Sequence, residues 1–302
     1  MAADSTVTSA SAASAPATSA PATAAPLTPA AVAQLAPPDR QELRARLFLR
    51  AALPVTKVVL ADDPAMNKRF QGVRAKVQFV AKTKPEPLGA YLVFGDPADA
   101  EQGPASVRTE QGFCEKPDVT FTFGSVQKLN DFFAGKTVLP GIKGLGKPGL
   151  VAKVVQLLLS LKLMMPNAQP KDADKRRLKV KLTLYMITTA LSQYNKGGDP
   201  DMVRWTTMQP ERIYQMLVEP DNIAAYLRIS AGRSKAGRGV YERRRPFVLM
   251  RFKSVDGALA VMNKEVGFIE GVAKGFVSVE GSPEYAANFS DFMMRVQGLL
   301  TG

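Results

Sequence analysis

The sequence predicts an α/β (α+β) chain of two tandem, related domains behind a disordered tail. Two observations carry the prediction: a self-similarity at a shift of 135 residues, and, within each copy, the same succession of an opening helix, short apolar strands and further helices. The size agrees, because 302 residues with 46% hydrophobic content suffice for two packed cores.

Residues 1–37 are mostly Ala, Ser, Thr and Pro, with Asp4 as the one charged side chain. So few large apolar groups cannot offset the entropy of ordering, which predicts a disordered tail. Without a basic start and an apolar run it does not read as a secretory leader, and without Arg it does not read as a mitochondrial presequence.

The shift of 135 sets Asp39, Leu43, Leu47 and Leu49 over Asp174, Leu178, Leu182 and Leu184, and Pro85 and Ala90-Tyr91-Leu92 over Pro220 and Ala225-Tyr226-Leu227. One residue of slippage pairs Asp63-Pro64-x-Met66 with Asp199-Pro200-x-Met202. A shorter loop in the second copy then pairs Phe123-x-Ser125-Val126 with Phe252-x-Ser254-Val255. The folded part therefore divides into units 38–168 and 169–302.

In the first unit, Leu43, Leu47 and Leu49 mark the opening helix. Strands are predicted at Val77–Val80, Leu88–Phe94, Ala105–Glu110 and Val119–Phe123, the last alternating Val and Phe with Thr so that one face is wet and the other covered. A helix follows from Ser125, a natural N-cap, to Gly135, a natural stop. A short strand around Ile142 leads to an apolar helix, Leu150–Met165. The second unit repeats these steps with Ala224–Ile229, Phe247–Phe252, a helix Ser254–Met262, a strand Phe276–Val279 and a last helix after Ser282-Pro283-Glu284.

Several chemistries are disfavoured. Histidine is absent, which removes imidazole bases and His-ligated metals, and the single Cys114 makes neither a disulfide within the chain nor a zinc cluster. That cysteine usage suits a reducing compartment, and a cytoplasmic location is expected. Gly141-Ile-Lys-Gly-Leu-Gly-Lys147 imitates a phosphate-binding loop, but Pro148 stands where a Mg²⁺-binding hydroxyl belongs, so the glycines read as a turn. No carboxylate pair recurs in both copies. Leu150–Met165 carries Lys153, Gln156 and Lys162 and is short for a membrane span, so it is read as a core or ligand-covering helix.

The net charge of +13 points to an anionic partner, and it divides into +7 for each unit and −1 for the tail. Its concentrations include Lys175, Arg176 and Arg177 with Lys171, Lys179 and Lys181 at the start of the second unit, and an apparent exposed loop with Arg233, Lys235, Arg238, Arg243, Arg244 and Arg245. Both are candidate membrane or partner contacts.

The order of elements and several motifs resemble the sterol carrier protein type two family. Pro117-Asp-Val-Thr-Phe-Thr-Phe123 resembles that family's Asp-Val-Thr strand signature, Gly135-Lys136 its helix-ending Gly-Lys step, and Ile142-Lys143-Gly144 the strand and turn before its long apolar helix. The second unit keeps the outline but has Asn263-Lys264 at the Gly-Lys position. The resemblance implies a five-stranded, mainly antiparallel sheet covered by helices in each unit, an apolar tunnel for a fatty acyl chain, sterol or isoprenoid-type lipid, no cofactor, no metal and no catalytic residue. Placed by position, the first tunnel draws on Tyr91, Val93, Val119, Phe121, Phe123, Phe132 and Phe133, then on Ile142, Leu150, Val154, Leu157, Leu158 and Leu161. The second draws on Tyr226, Val248, Met250, Phe252, Met262 and Val277, then on Val279, Phe289, Phe292, Met293 and Val296.

The function expected is non-enzymatic binding or transfer of a hydrophobic ligand, with transient docking on anionic membrane. Two other readings stay open: a scaffold for lipid- or isoprenoid-metabolising enzymes with degenerate pockets, and nucleic-acid binding.

Overall fold

The computed structural model describes residues 35–83, 86–144 and 146–301. Most of the predicted tail, and Pro85 of the repeat, lie outside the described residues.

Two five-stranded sheets form. In the first, β1 (Ala75–Ala81), β2 (Leu88–Phe94), β3 (Val107–Gln111), β4 (Val119–Phe123) and β5 (Gly141–Lys143) lie in the order β3-β2-β1-β4-β5. In the second, β6 (Arg212–Val218), β7 (Ile223–Ser230), β8 (Arg233–Arg238), β9 (Val248–Phe252) and β10 (Val277–Gly281) lie in the order β10-β9-β6-β7-β8. The order is the same once the strands are matched. Each sheet has one parallel pair, β1 with β4 and β6 with β9, and is otherwise antiparallel.

Register carries the repeat to single residues. Ala90 and Leu92 lie opposite Phe79 and Val77, as Ala225 and Leu227 lie opposite Met216 and Tyr214, which keeps the shift of 135 on the second strand. Phe123 ends its strand beside Ala81, and Phe252 beside Val218. On β4 the burial alternates as Val, Phe and Phe in, Thr and Thr out.

The helices follow the same plan. In the first half α1 (Arg40–Leu47) runs through a π turn (Phe48–Ala52) and a 3₁₀ turn (Leu53–Val55) into α2 (Thr56–Asp62). The widening coincides with Pro54, which has no amide hydrogen for the regular ladder. Then come α3 (Pro64–Phe70), α4 (Val126–Phe133) and α5 (Pro148–Ser160), the last extended by a 3₁₀ turn, Leu161–Met164. The second half has α6 (Ala173–Lys196), α7 (Pro200–Thr207), α8 (Val255–Met262), α9 (Phe268–Ala273) and α10 (Pro283–Thr301).

Caps match as well. Asp63 and Asp199 each accept amide hydrogens at the start of a helix with Pro at its first position. Ser125 and Ser254 cap α4 and α8 with φ/ψ of −157°/165° and −158°/163°. The cap of α6 is Asp172, not the Asp174 that the shift of 135 selects. Gly144 and Gly281 occupy equivalent turns at φ +92° and +101°, where a Cβ would come within 2.2 Å of the Asp118 carbonyl oxygen and 2.0 Å of that of Phe247. Only glycine fits there. Lys147, the lysine of the phosphate-loop imitation, pairs with Asp118 at 2.5 Å, and the stretch begins in strand β5 and leads to α5.

The strand β6 and the short helices α2, α3, α7 and α9 escape the pattern, although the repeated Asp63-Pro64 and Asp199-Pro200 open two of those helices. The predicted loop at Arg233–Arg238 is instead edge strand β8, paired with β7.

The halves do not stand apart: one hydrophobic core runs through both. α6 packs on β7 and β8 of its own sheet and also on the π turn of the first half. The contacts are reciprocal. Arg44 donates to the carbonyl of Leu300 at 3.3 Å, and Lys179, its counterpart 135 residues on, donates to the carbonyl of Met165, the counterpart of Leu300, at 3.0 Å. Residue i touching j′ while i′ touches j is the mark of a two-fold contact, here within one chain.

Candidate ligand-binding cavities

Two apolar cavities open at the junction of the halves, one in each. The larger, about 360 Å³, lies between α6, β6, β9, α8 and α10, with Met164 and Pro166 of the first half closing one side. The smaller, about 190 Å³, lies between the π turn, the end of α4 and α5, with Met186, Leu300 and Thr301 of the second half closing it. They are equivalent sites. Phe48, Ala52, Leu158, Leu159 and Lys162 of the smaller correspond, at the shift of 135, to Thr183, Ile187, Met293, Met294 and Gln297 of the larger.

Side-chain volume explains why the two differ. In the first half Phe48 stacks on Phe133 at 5.7 Å, and Phe133 meets Phe132 edge-on at 5.5 Å, so three rings fill the space beneath the helix. At the three matching positions the second half has Thr183, Val261 and Met262, and the space stays open. Seven methionines stand in its wall: Met164, Met186, Met216, Met250, Met262, Met293 and Met294. Unbranched and polarizable, they adapt to a guest of irregular shape.

The polar groups of the larger cavity are few. Lys179 is 1% exposed and gives hydrogen bonds to the carbonyls of Met165 and Ala168 at 3.0 and 2.6 Å. Burial pushes its ammonium below the usual lysine value, and Glu265 partly opposes the shift. One turn along α6, the Thr183 hydroxyl is buried with no partner among the described residues. No carboxylate appears among the described lining residues. Groups of Asp, Glu, Cys or His able to hold a metal are absent among the described residues.

Of the sequence-predicted lining, the structure brings Phe132, Phe133, Leu158 and Leu161 to the smaller cavity and Met250, Phe252, Met262 and Met293 to the larger. The others do not reach either void. Val119, Phe121, Phe123, Val154 and Leu157 are close-packed core, as are Val248, Val277, Phe289, Phe292 and Val296. Ile142, Leu150 and Val279 pack at its margin. Tyr91, Val93 and Tyr226 point the other way, because Ala90, Leu92 and Phe94 on β2, and Ala225 and Leu227 on β7, take the core face. Behind Tyr91 and Tyr226 their cross-strand partners Gln78 and Gln215 accept amide hydrogens from Cys114 and Tyr241, a second matched pair. Sequence patterning does not single out Lys179, which sits in a basic run, or Thr183, which carries no signal of its own.

The basic candidates are largely spoken for. Arg176 pairs with Asp256 at 3.4 Å, Arg177 with Asp221 at 2.8 Å, Arg244 with Glu211 at 3.8 Å and Arg245 with Glu280 at 3.6 Å. Arg238 crosses to the first half, lying over Tyr185 at 5.1 Å and donating to the Pro54 carbonyl at 3.4 Å. Lys175, Arg233, Lys235 and Arg243 are exposed.

No family model matches the chain. No curated protein matches it either. Solved structures give likenesses that include the stereoselective inverting sec-alkylsulfatase Pisa1 from Pseudomonas sp., 12% identical over 47% of this chain and 28% of that one, with a TM-score of 0.22. A double mutant of the same enzyme is matched over 56% of this chain and 30% of its own, at 12% identity and a TM-score of 0.25. The chain thus spans less than a third of those proteins, and likenesses this slight carry no argument about activity.

Proposed function

We propose that the protein binds a hydrophobic, chain-like ligand without transforming it, as the resemblance to sterol carrier domains implies. The observation that supports this most is the larger cavity: about 360 Å³, within the range of small-molecule sites, walled by methionine, leucine and phenylalanine. Burying a CH₂ group is worth about 0.8 kcal/mol, so a chain of about 14 carbons supplies enough gross energy for micromolar binding after association costs. The void next door is about 190 Å³, so the second half is the better carrier and the first a narrower counterpart.

Exposed apolar groups adjoin the cavity wall along the chain. Ile269, at 86%, and Val272 on α9 follow Gly267 and Phe268 of the cavity wall, and Met294 on α10 is half exposed. Such groups suit loading from a membrane surface, with exposed lysines and arginines supplying attraction to anionic headgroups. No described helix is long and apolar enough to cross a membrane.

Lipid extracted from the purified, natively folded chain and quantified by mass spectrometry tests the proposal. Enrichment over an unrelated protein prepared in parallel is expected. Equal amounts in the two contradict it.

A further inference from the structure

We propose that the larger cavity selects a chain with a carboxylate head, held between the Lys179 ammonium and the Thr183 hydroxyl. This rests on the lipid-carrier reading and adds the chemistry of the head. Lys179 brings a positive charge into a site where it is 1% exposed, and its direct partners among the described residues are two neutral carbonyls. An ammonium has three protons, so one remains after those two bonds. Glu265 attracts that charge without a direct bond to it, and the two carbonyl dipoles offset its burial only in part, so an anion inside the cavity still gains from it.

Thr183 lies four residues further along α6, on the same face, with its buried hydroxyl unpartnered. Both residues line the void. Two donors remain, which matches the two oxygens of a carboxylate, and a charge-assisted bond in an apolar surround is among the stronger ones available. The alkyl chain then runs along Met216, Met250, Met262 and Met293.

The first half shows how the site arises. There Arg44 stands in place of Lys179 and Phe48 in place of Thr183, and the guanidinium lies 5.6 Å from the centre of that ring. Arg44 does not line the smaller cavity, so the same clamp between halves is kept without a head site. Exchanging Phe for Thr beside the cation opens the pocket and adds a donor at one stroke.

Isothermal titration of the full chain with dodecanoate and with 1-dodecanol, each below its aggregation limit, tests the assignment. The native chain is expected to bind dodecanoate about 10-fold more tightly than the alcohol. Lys179→Met is expected to remove that preference, read as the ratio of the two affinities within the variant. Thr183→Val reduces the preference about three-fold or more and leaves the Lys179 clamp in place, so it decides the matter if Lys179→Met fails to fold. Equal affinity for the two ligands, or a preference surviving in both variants, overturns the head assignment and leaves the carrier reading standing. Binding of neither ligand overturns the carrier reading itself.

Discussion

Thr183 and Phe48 occupy one position in two copies of a fold, and that exchange is one of three that separate the larger cavity from the smaller one. Thr183→Phe, placing in the second half the ring that the first half carries, is therefore expected to weaken binding of a chain-like ligand about 10-fold or more without loss of helical circular dichroism. Backbone positions are as strict. Gly144→Ala or Gly281→Ala puts a Cβ against a carbonyl oxygen in a left-handed turn, and should cost about 2 kcal/mol or more in urea unfolding. Asp118 beside Gly144 gives a pH signature. Against the opposing effect of burial, its bonds to Lys147 and to the Lys76 amide hold its carboxyl below the usual 3.8, so the folded state binds this proton less readily than the unfolded. The stabilisation is present above the unfolded value and is lost as pH falls through the folded one. Asp118→Asn should thus be less stable than the native chain at pH 7 and converge on it in acid, as followed by thermal melts. These residue-level facts were unevenly legible. A strand's existence survives a one-residue error, but its facing does not, which is why Tyr91, Val93 and Tyr226 were assigned to the wrong side. Lys179 was hidden in a basic run because charge patterning alone does not distinguish a solvated lysine from one covered by another part of the chain.

Among the elements, β8 shows what a composition-based reading misses. Gly232, Gly237 and Gly239 among basic residues imply a loop, yet the segment pairs with β7 along its whole length. Gly237 is there because the Tyr226 ring lies across it: a Cβ would meet that ring at 2.0 Å. The exposed Arg233 and Lys235 then guard an otherwise sticky edge. Replacing both with serine should raise self-association, measured by sedimentation velocity, while the melting temperature changes little; unchanged sedimentation would contradict an edge-guarding role. The elements with strong caps and alternation, such as β4, α4 and α8, were legible from sequence because their cues are local. The strand β6 and the short helices α2, α3, α7 and α9 were not, because their identity depends on neighbours from elsewhere in the chain.

For the whole molecule, the repeat is more than two beads on a string. The reciprocal bonds, Arg44 to Leu300 and Lys179 to Met165, tie the opening helix of each half to the closing helix of the other, and each cavity borrows residues across that junction. The 135-residue shift made the duplication legible; the docking of the two copies was not, since a pseudo-two-fold contact leaves no periodic trace in a linear sequence. The equal +7 charge of the halves now reads as inheritance by two copies of one module rather than as one dedicated basic surface. The most direct measurement of the central claim is native mass spectrometry of the full chain beside its Thr183→Phe variant, after incubation with dodecanoate. One bound ligand per native chain and none on the variant is the predicted result; no adduct on the native chain, or an equal adduct on both, would contradict it.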